Sequence, residues 1–205
     1  MGKLRKGLSI LYWRLREQGL RVTALWAKDH ALRLLTGMSP PATSRIAPNL
    51  YVGGQHYLRG LRRMARLGIS ASLSLRREAD DEALGVALEK HLWLPTTDDA
   101  PPSPEQLHQA ALFLSEALGE GRGVYVHCMS GVGRAATTAA AFLVSTGSTP
   151  EEAWTTIRRV RPFLRPSAAQ MTALREFHEL LPQLEEGSPG SGGGAAESRV
   201  DRREL

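Results

Sequence analysis

The sequence predicts an α/β fold: a mostly parallel sheet of four or five strands flanked by helices. Three observations carry that reading. Short apolar runs alternate with segments of helical period. Two helix starts are written as capping boxes with proline in the first turn, Ser103–Pro104–Glu105–Gln106 and Thr149–Pro150–Glu151–Glu152. Glycines (Gly37, Gly68, Gly147) stand just past helical stretches, where a left-handed residue closes a helix. The 205 residues, 42% hydrophobic and 23% charged, suit one soluble domain with some tail and exclude a mainly disordered chain.

Residues 1–42 read as a basic amphipathic helical segment. Leu4, Leu8, Leu11 and Leu15, then Val22, Leu25, Trp26, Leu32 and Leu35, recur at helical spacing; Gly19 cuts the pattern, and Gly37 with Pro40 and Pro41 ends it. Residues 1–48 hold nine basic side chains and two acidic ones, while the whole chain carries +5. The basicity therefore belongs to this arm. Two placements stay open: packed on the domain, or lying on an anionic membrane surface. Charges inside its apolar stretches speak against a signal peptide. No apolar run reaches the roughly 20 residues of a membrane span, which excludes an integral membrane protein. No reader motif accompanies the charge, so no nucleic-acid partner is expected.

Residues 43–185 form the folded domain. RIAPNLYVGG reads as a strand ending in a glycine pair, and Leu58, Leu61, Met64 and Leu67 mark a helix closed by Gly68. ISASLSL (69–75) alternates like a strand, HLWLP (91–95) is a short strand, and the first capping box opens a helix to about Leu118. GVYVH (123–127) is a further apolar strand, followed by helices over about 133–145, 150–160 and 167–181. Residues 186–205 are dominated by glycine and serine and read as a flexible tail.

The chemistry lies in VYVHCMSGVGRAATTAAAFLV. Cys128, the single cysteine, follows an apolar strand, and Arg134 opens a helix six positions later. With one cysteine, neither an internal disulfide nor a multi-cysteine zinc site can form. A short loop from a strand into a helix N-terminus can turn its N–H groups inward and cradle an oxyanion. Gly131 and Gly133 allow the backbone angles and close approach this needs. Arg134 supplies a two-pronged donor for phosphate oxygens. The same positive surroundings favour the thiolate of Cys128, a nucleophile facing phosphorus, with a phosphocysteine as product. The alternative of a small buried hydrophobe leaves the loop without a purpose. A nucleotide P-loop needs lysine followed by serine or threonine, which this loop lacks.

This Cys-x5-Arg loop, after a hydrophobic strand and a histidine, resembles the dual-specificity branch of the protein tyrosine phosphatase superfamily. The likeness runs over about residues 44–181: APNLYVGG resembles its entry strand, LPTTDDAPPSPEQL its acid loop, and STPEEAWTTIRRVRPFLRPSAAQMTALREF its C-terminal helices. Within the branch, VYVHC with TPEEA and LREFH is especially similar to mitochondrial phosphatidylglycerophosphate phosphatases. The resemblance implies a cysteine-phosphatase fold, with residues 43–185 as catalytic domain. It implies that Met129, Ser130, Gly131, Val132, Gly133 and Arg134 bind phosphate, and that Cys128 and Arg134 are catalytic. A general acid is also needed, and the family's Pro-Thr-x pattern puts it at Asp98, with Asp99 as the other candidate. His127 is implied to orient the loop, with Ser167 and Gln170 as polar support. The family usually has serine or threonine after the arginine. Ala135 stands there instead, which predicts slow breakdown of the phosphocysteine and a kinetic burst.

The uncharged loop residues 129–133 speak against a highly anionic inositol headgroup. A phosphoprotein (phosphotyrosine, phosphoserine or phosphothreonine) or a simple phosphomonoester is the expected substrate. A phospholipid monoester and a catalytically weak phosphate-binding module are the alternatives. A rhodanese-type sulfurtransferase would have a shorter loop and leave Asp98 idle. The chemistry needs no cofactor and no metal. A lone reactive thiol has no partner for a protective disulfide, so a reducing, cytoplasmic setting is expected, peripheral at a membrane if the arm binds one.

Overall fold

The computed structural model describes residues 2–186, with side chains from Leu11 onward. Five strands form one sheet: β1 (Arg45–Ala47), β2 (Leu50–Gly54), β3 (Ile69–Arg76), β4 (Lys90–Thr96) and β5 (Gly123–Cys128). Their order is β1-β2-β5-β3-β4, with only the β1–β2 pair antiparallel. RIAPNLYVGG is thus two strands where one is expected. Asn49, at φ 59, takes the left-handed conformation that a short polar side chain tolerates, and the chain turns there.

The helices are α1 (Gly2–Thr36), α2 (Pro41–Ser44), α3 (Leu58–Arg66), α4 (Pro104–Gly119), α5 (Arg134–Ser145), α6 (Pro150–Val160) and α7 (Ala168–Glu186). Both capping boxes form: Ser103 with Gln106 starts α4, and Thr149 with Glu152 starts α6. The last helix runs past Leu181 and through Pro182. Beyond Glu186 the expected tail lies outside the described residues.

Strand alternation sorts the core into two layers. Leu50, Val52, Leu73, Leu75, Val124 and Val126 pack with Leu107, Leu114, Ala139, Ile157 and Phe177 from α4 to α7. Tyr51, Ile69 and Tyr125 face the other way, against Met38 and Met64. In β3, Ser72 and Ser74 are as buried as Leu73 and Leu75, because both faces of this inner strand are covered. Strand β5 is central and ends at Cys128, at the carboxyl edge of the parallel strands, where α/β sheets present their sites.

Helix α1 is kinked at Gly19, whose φ of 77 and ψ of 170 break the helical path. It docks on the domain with polar side chains buried in the contact and Val22, Leu25, Trp26 and Leu32 half-buried. Arg14 donates to the Phe163 carbonyl (3.2 Å), Gln18 to that of Leu164 (3.0 Å) and Arg33 to that of Gln55 (2.9 Å). Leu35, grouped by its spacing with the apolar face, is exposed instead, while Arg14, Asp29 and Arg33 are buried.

Candidate active site

The loop from Cys128 to Arg134 is held by its carbonyls. Met129 O accepts from Gln55 N–H (3.2 Å), Gly131 O from Arg161 Nε (3.1 Å), and Val132 O from Arg165 N–H (2.9 Å). Ser130 O lies 3.5 Å from Arg161 Nη2, and Gly133 O accepts from Thr137 N–H (2.9 Å). With each carbonyl committed to the surrounding scaffold, the amides are left to the inner side of the turn. One of them, Gly131 N–H, donates to Cys128 Sγ at 3.2 Å. Gly131 has φ 67, and a Cβ there would stand 2.3 Å from the Gly53 backbone, so glycine is required at this position.

Arg134 is 1% exposed at the first turn of α5. Its Nη1 and Nη2 grip Glu78 at 3.0 and 3.1 Å, and Nη1 also donates to the carbonyls of Leu75 and Thr96. Nη2 meets Asp98 Oδ1 at 2.8 Å. Nε is buried and has no hydrogen-bond partner among the described residues. The orphan guanidinium N–H and the Gly131 amide at the Cys128 sulfur are donors that an oxyanion would satisfy. Burial works against the Glu78 carboxylate, but the bonds from Arg134 outweigh it and hold the carboxyl down at about 2. Burial likewise pulls the Arg134 guanidinium down, and Glu78 with the Cys128 and Asp98 charges more than restores it.

Of the two candidate acids, Asp98 reaches Arg134 and is otherwise open to solvent. Asp99 has φ 61, and its carbonyl accepts from Ser167 Oγ (2.9 Å). Gln170 Nε2 donates to Ala100 O (3.0 Å), and its Oε1 accepts from Ser167 N–H. Ser167 and Gln170 therefore tie down the segment that follows Asp98. Gln170 also packs against Gly133, where an added Cβ would meet Oε1 at 2.8 Å. Ala135 is fully buried. The nearby hydroxyls of Thr137 and Thr138 are committed to the Gly133 and Arg134 carbonyls.

Behind the loop, His127 Nε2 and Asp81 Oδ2 are 2.6 Å apart and both fully buried. Asp81 also accepts from Gln55, whose Oε1 accepts from Arg76 (2.7 Å). Burial opposes the Asp81 charge, but the contacts with His127 and Gln55 together outweigh it and hold the carboxyl at about 2. His56 stands edge-on to His127 with ring centres 4.8 Å apart, and burial, with the His127 charge, lowers its imidazole to about 4. His56, Asp81 and His127 are the described residues with a metal-ligand composition, their ligand atoms lying within 4.8 Å of one another. The 2.6 Å contact makes His127 and Asp81 a hydrogen-bonded pair, while His56 Nε2 bonds the Val86 carbonyl at 2.6 Å and meets His127 only through the ring edge.

Sequence reasoning missed Glu78, Asp81 and the support beneath the loop. Arg161, fully buried, carries the Gly131 and Ser130 carbonyls and is 3.5 Å from Asp29 of α1. Thr43 Oγ1 donates to the same carboxylate (2.6 Å). One signal was available: Asp29 is the sole acid between Gly19 and Pro40 in a basic arm.

Known proteins resemble this chain in sequence and in fold. Over 156 residues the chain is 28% identical to the protein phosphatase Slingshot homolog 3 of Mus musculus, covering 75% of this chain and 23% of that one. It is 29% identical over 143 residues to the phosphatidylglycerophosphate phosphatase PTPMT1 of Arabidopsis thaliana, covering 66% and 42%. The chain thus spans less than half the length of these relatives. A crystal structure of PTPMT1 in complex with PI(5)P superposes with a TM-score of 0.59 at 25% identity, over 64% of this chain and 91% of that one. The family model described as "Dual specificity phosphatase, catalytic domain" matches residues 50–180, more than half the chain. With its single cysteine on an amide-lined turn and its arginine at the head of the next helix, the chain belongs to the dual specificity phosphatase catalytic domain family.

Proposed function

We propose that this protein is a cysteine-dependent phosphatase that hydrolyses phosphate monoesters, phosphotyrosine, phosphoserine or phosphothreonine in proteins, through a phosphocysteine intermediate. The observation that carries the reading is the contact of Cys128 Sγ with the inward Gly131 N–H, next to the unpartnered Nε of Arg134. In this mechanism the phosphoryl group sits in the bowl of residues 129–134, held by the loop amides and Arg134. The Cys128 thiolate attacks phosphorus, the P–O bond to the leaving group breaks, and Asp98 gives its proton to the departing oxygen. Asp98, now a carboxylate, takes a proton from water. That water attacks phosphorus, the S–P bond breaks, and thiolate and inorganic phosphate are released. Glu78 orients Arg134, and His127 with Asp81 fixes the strand end that carries the nucleophile. Asp98 fits the acid role better than Asp99 because its carboxyl group is the one that reaches the loop, and phosphate taking its place on Arg134 frees it to carry a proton. The chemistry needs no metal or organic cofactor.

A phospholipid monoester of the phosphatidylglycerophosphate type is the second reading, favoured by the basic arm and its outward apolar face. The arm then meets an anionic membrane surface while the enzyme works in a reducing, cytoplasmic setting. No described helix is long and apolar enough to cross a membrane.

A panel of para-nitrophenyl phosphate, phosphopeptides and phosphatidylglycerophosphate, run with Cys128→Ser beside the unaltered protein, tests these readings. Turnover lost in Cys128→Ser with phosphate binding kept is expected. Retained turnover in that variant would remove the mechanism. The best panel substrate decides between protein and lipid, and no turnover on any leaves a phosphate-binding module.

A further inference from the structure

Helix α1 turns Asp29 and Arg33 with half-buried Val22, Leu25 and Trp26 to the protein, and leaves a second apolar stripe facing out. Leu20, Ala24, Ala27, Ala31 and Leu34 recur at intervals of four and three residues, the spacing of one helix face. All five are exposed, and Leu35 beside them with them. Leu20 and Leu35 are 76% and 74% exposed. Before the kink, Tyr12 and Trp13 are 58% and 44% exposed, with their rings edge-to-face at 5.8 Å.

The charges on this helix are one-sided. Its two acids are both taken up: Asp29 is buried beside Arg161, and Glu17 pairs with Arg165 at 3.4 Å. Arg16, Arg21 and Lys28 are exposed and have no ion pair among the described residues. Arg16 lies over the Trp13 ring, 5.8 Å from its centre, a pairing in which the stem follows the apolar surface and the charge stays at the polar level.

We propose that the outward face of α1 is a docking surface for an anionic lipid bilayer, with the helix lying in the headgroup plane. Leu20, Leu34, Leu35, Tyr12 and Trp13 then enter the acyl boundary, while Arg16, Arg21 and Lys28 meet lipid phosphates. Charge decides between occupants. A second copy would bring two basic stripes together, and neither has a free acid to answer them. An anionic bilayer supplies both the apolar phase and the negative charge. The helix is too polar to cross, so it lies on the surface. It is also fixed to the phosphate loop by Asp29–Arg161 and Arg33–Gln55 rather than tethered, so a bilayer bound here holds the site at one orientation.

The test is flotation of the full chain with phosphatidylcholine vesicles, with and without phosphatidylglycerol. Flotation with the anionic vesicles alone is expected, falling about tenfold as salt shortens the electrostatic reach. Leu20→Gln/Leu34→Gln/Leu35→Gln should weaken it by about tenfold or more. Arg21→Gln/Lys28→Gln, which leaves the apolar stripe intact, should also weaken it and decides the matter if the leucine variant fails to fold. No flotation, equal flotation on neutral vesicles, or indifference to both variants overturns the proposal. So does a dimer in sedimentation that the leucine changes dissolve. The readout needs no turnover, so a chain that floats but is inactive indicts the phosphatase reading alone.

Discussion

Replacing Gly131 with alanine isolates the bowl on which the chemistry depends. The residue sits at φ 67, where an L side chain costs about 1–2 kcal/mol. Its new Cβ would lie 2.3 Å from both C and O of Gly53 and 2.8 Å from Cα. Those atoms belong to β2, locked in register with β5 by the pairing of Gly53 with His127, and cannot rotate aside. Overpacking against a fixed backbone adds about 1–3 kcal/mol, so the loop itself must move. A shift of about 1 Å at a reacting centre costs on the order of a hundredfold in rate. Gly133→Ala is the control. Its φ is negative at −124, although its ψ of −96 lies outside the regions that residues with a Cβ favour, and the new Cβ meets the side-chain amide of Gln170 instead of fixed backbone, at a cost of about 1 kcal/mol of hydrogen bonding beside the backbone strain. The assays are the inhibition constant for vanadate, kcat/KM on para-nitrophenyl phosphate, and thermal melting. Gly131→Ala should lose about a hundredfold in kcat/KM and in vanadate affinity, and Gly133→Ala clearly less. Equal losses in the two variants, or unchanged vanadate affinity in Gly131→Ala, would refute the reasoning.

Three further outcomes follow from other parts of the structure. Asp98→Asn should cut kcat by about a hundredfold or more on a poor leaving group and far less on para-nitrophenol, whereas Asp99→Asn should do neither; a larger effect at Asp99 exchanges their roles. Asp29→Asn leaves the buried Arg161 charge without its carboxylate, so stability measured by urea unfolding should fall by about 3 kcal/mol and vanadate affinity with it, because Arg161 holds the Ser130 and Gly131 carbonyls. Burial lowers His56 from 6.5 to about 4, so the unfolded chain takes up a proton that the folded one refuses; stability is whole above about pH 6.5 and declines toward pH 4. At about pH 5 the loss is roughly 2 kcal/mol, and His30 and His91, also lowered, act in the same direction. His56→Gln should flatten that slope, and an unchanged slope in the variant removes His56 as its source.

What the sequence disclosed and what it hid divide by distance along the chain. Cys128, Gly131, Gly133 and Arg134 fall within seven residues, so one strand, one turn and one helix start place them together. The two capping boxes are equally local. Arg134 and Glu78 are 56 residues apart, His127 and Asp81 46, and no periodicity links either pair. Arg161 is one arginine in the run RRVRP, and nothing local sets it apart from its exposed neighbours Arg158 and Arg159. The turn at Asn49 was hidden because a left-handed conformation outside glycine is rare. For α1, spacing shows which residues share a face but not which face the fold uses. Half-buried Val22, Leu25 and Trp26 share the docked side with Arg14, Asp29 and Arg33, which find carbonyls or a counter-charge on the domain.

The central claim is tested most directly by trapping the enzyme during turnover. A rapid acid quench followed by peptide mass spectrometry should find phosphate on the sulfur of Cys128 and nowhere else. With Ala135 in place of the usual hydroxyl residue, the adduct should build up during a burst of leaving-group release. Ala135→Ser should shorten its lifetime by about fivefold, the worth of about 1 kcal/mol of hydrogen bonding. Steady turnover with no phosphorylated Cys128 at any quench time, or phosphate found on another residue, would contradict the account.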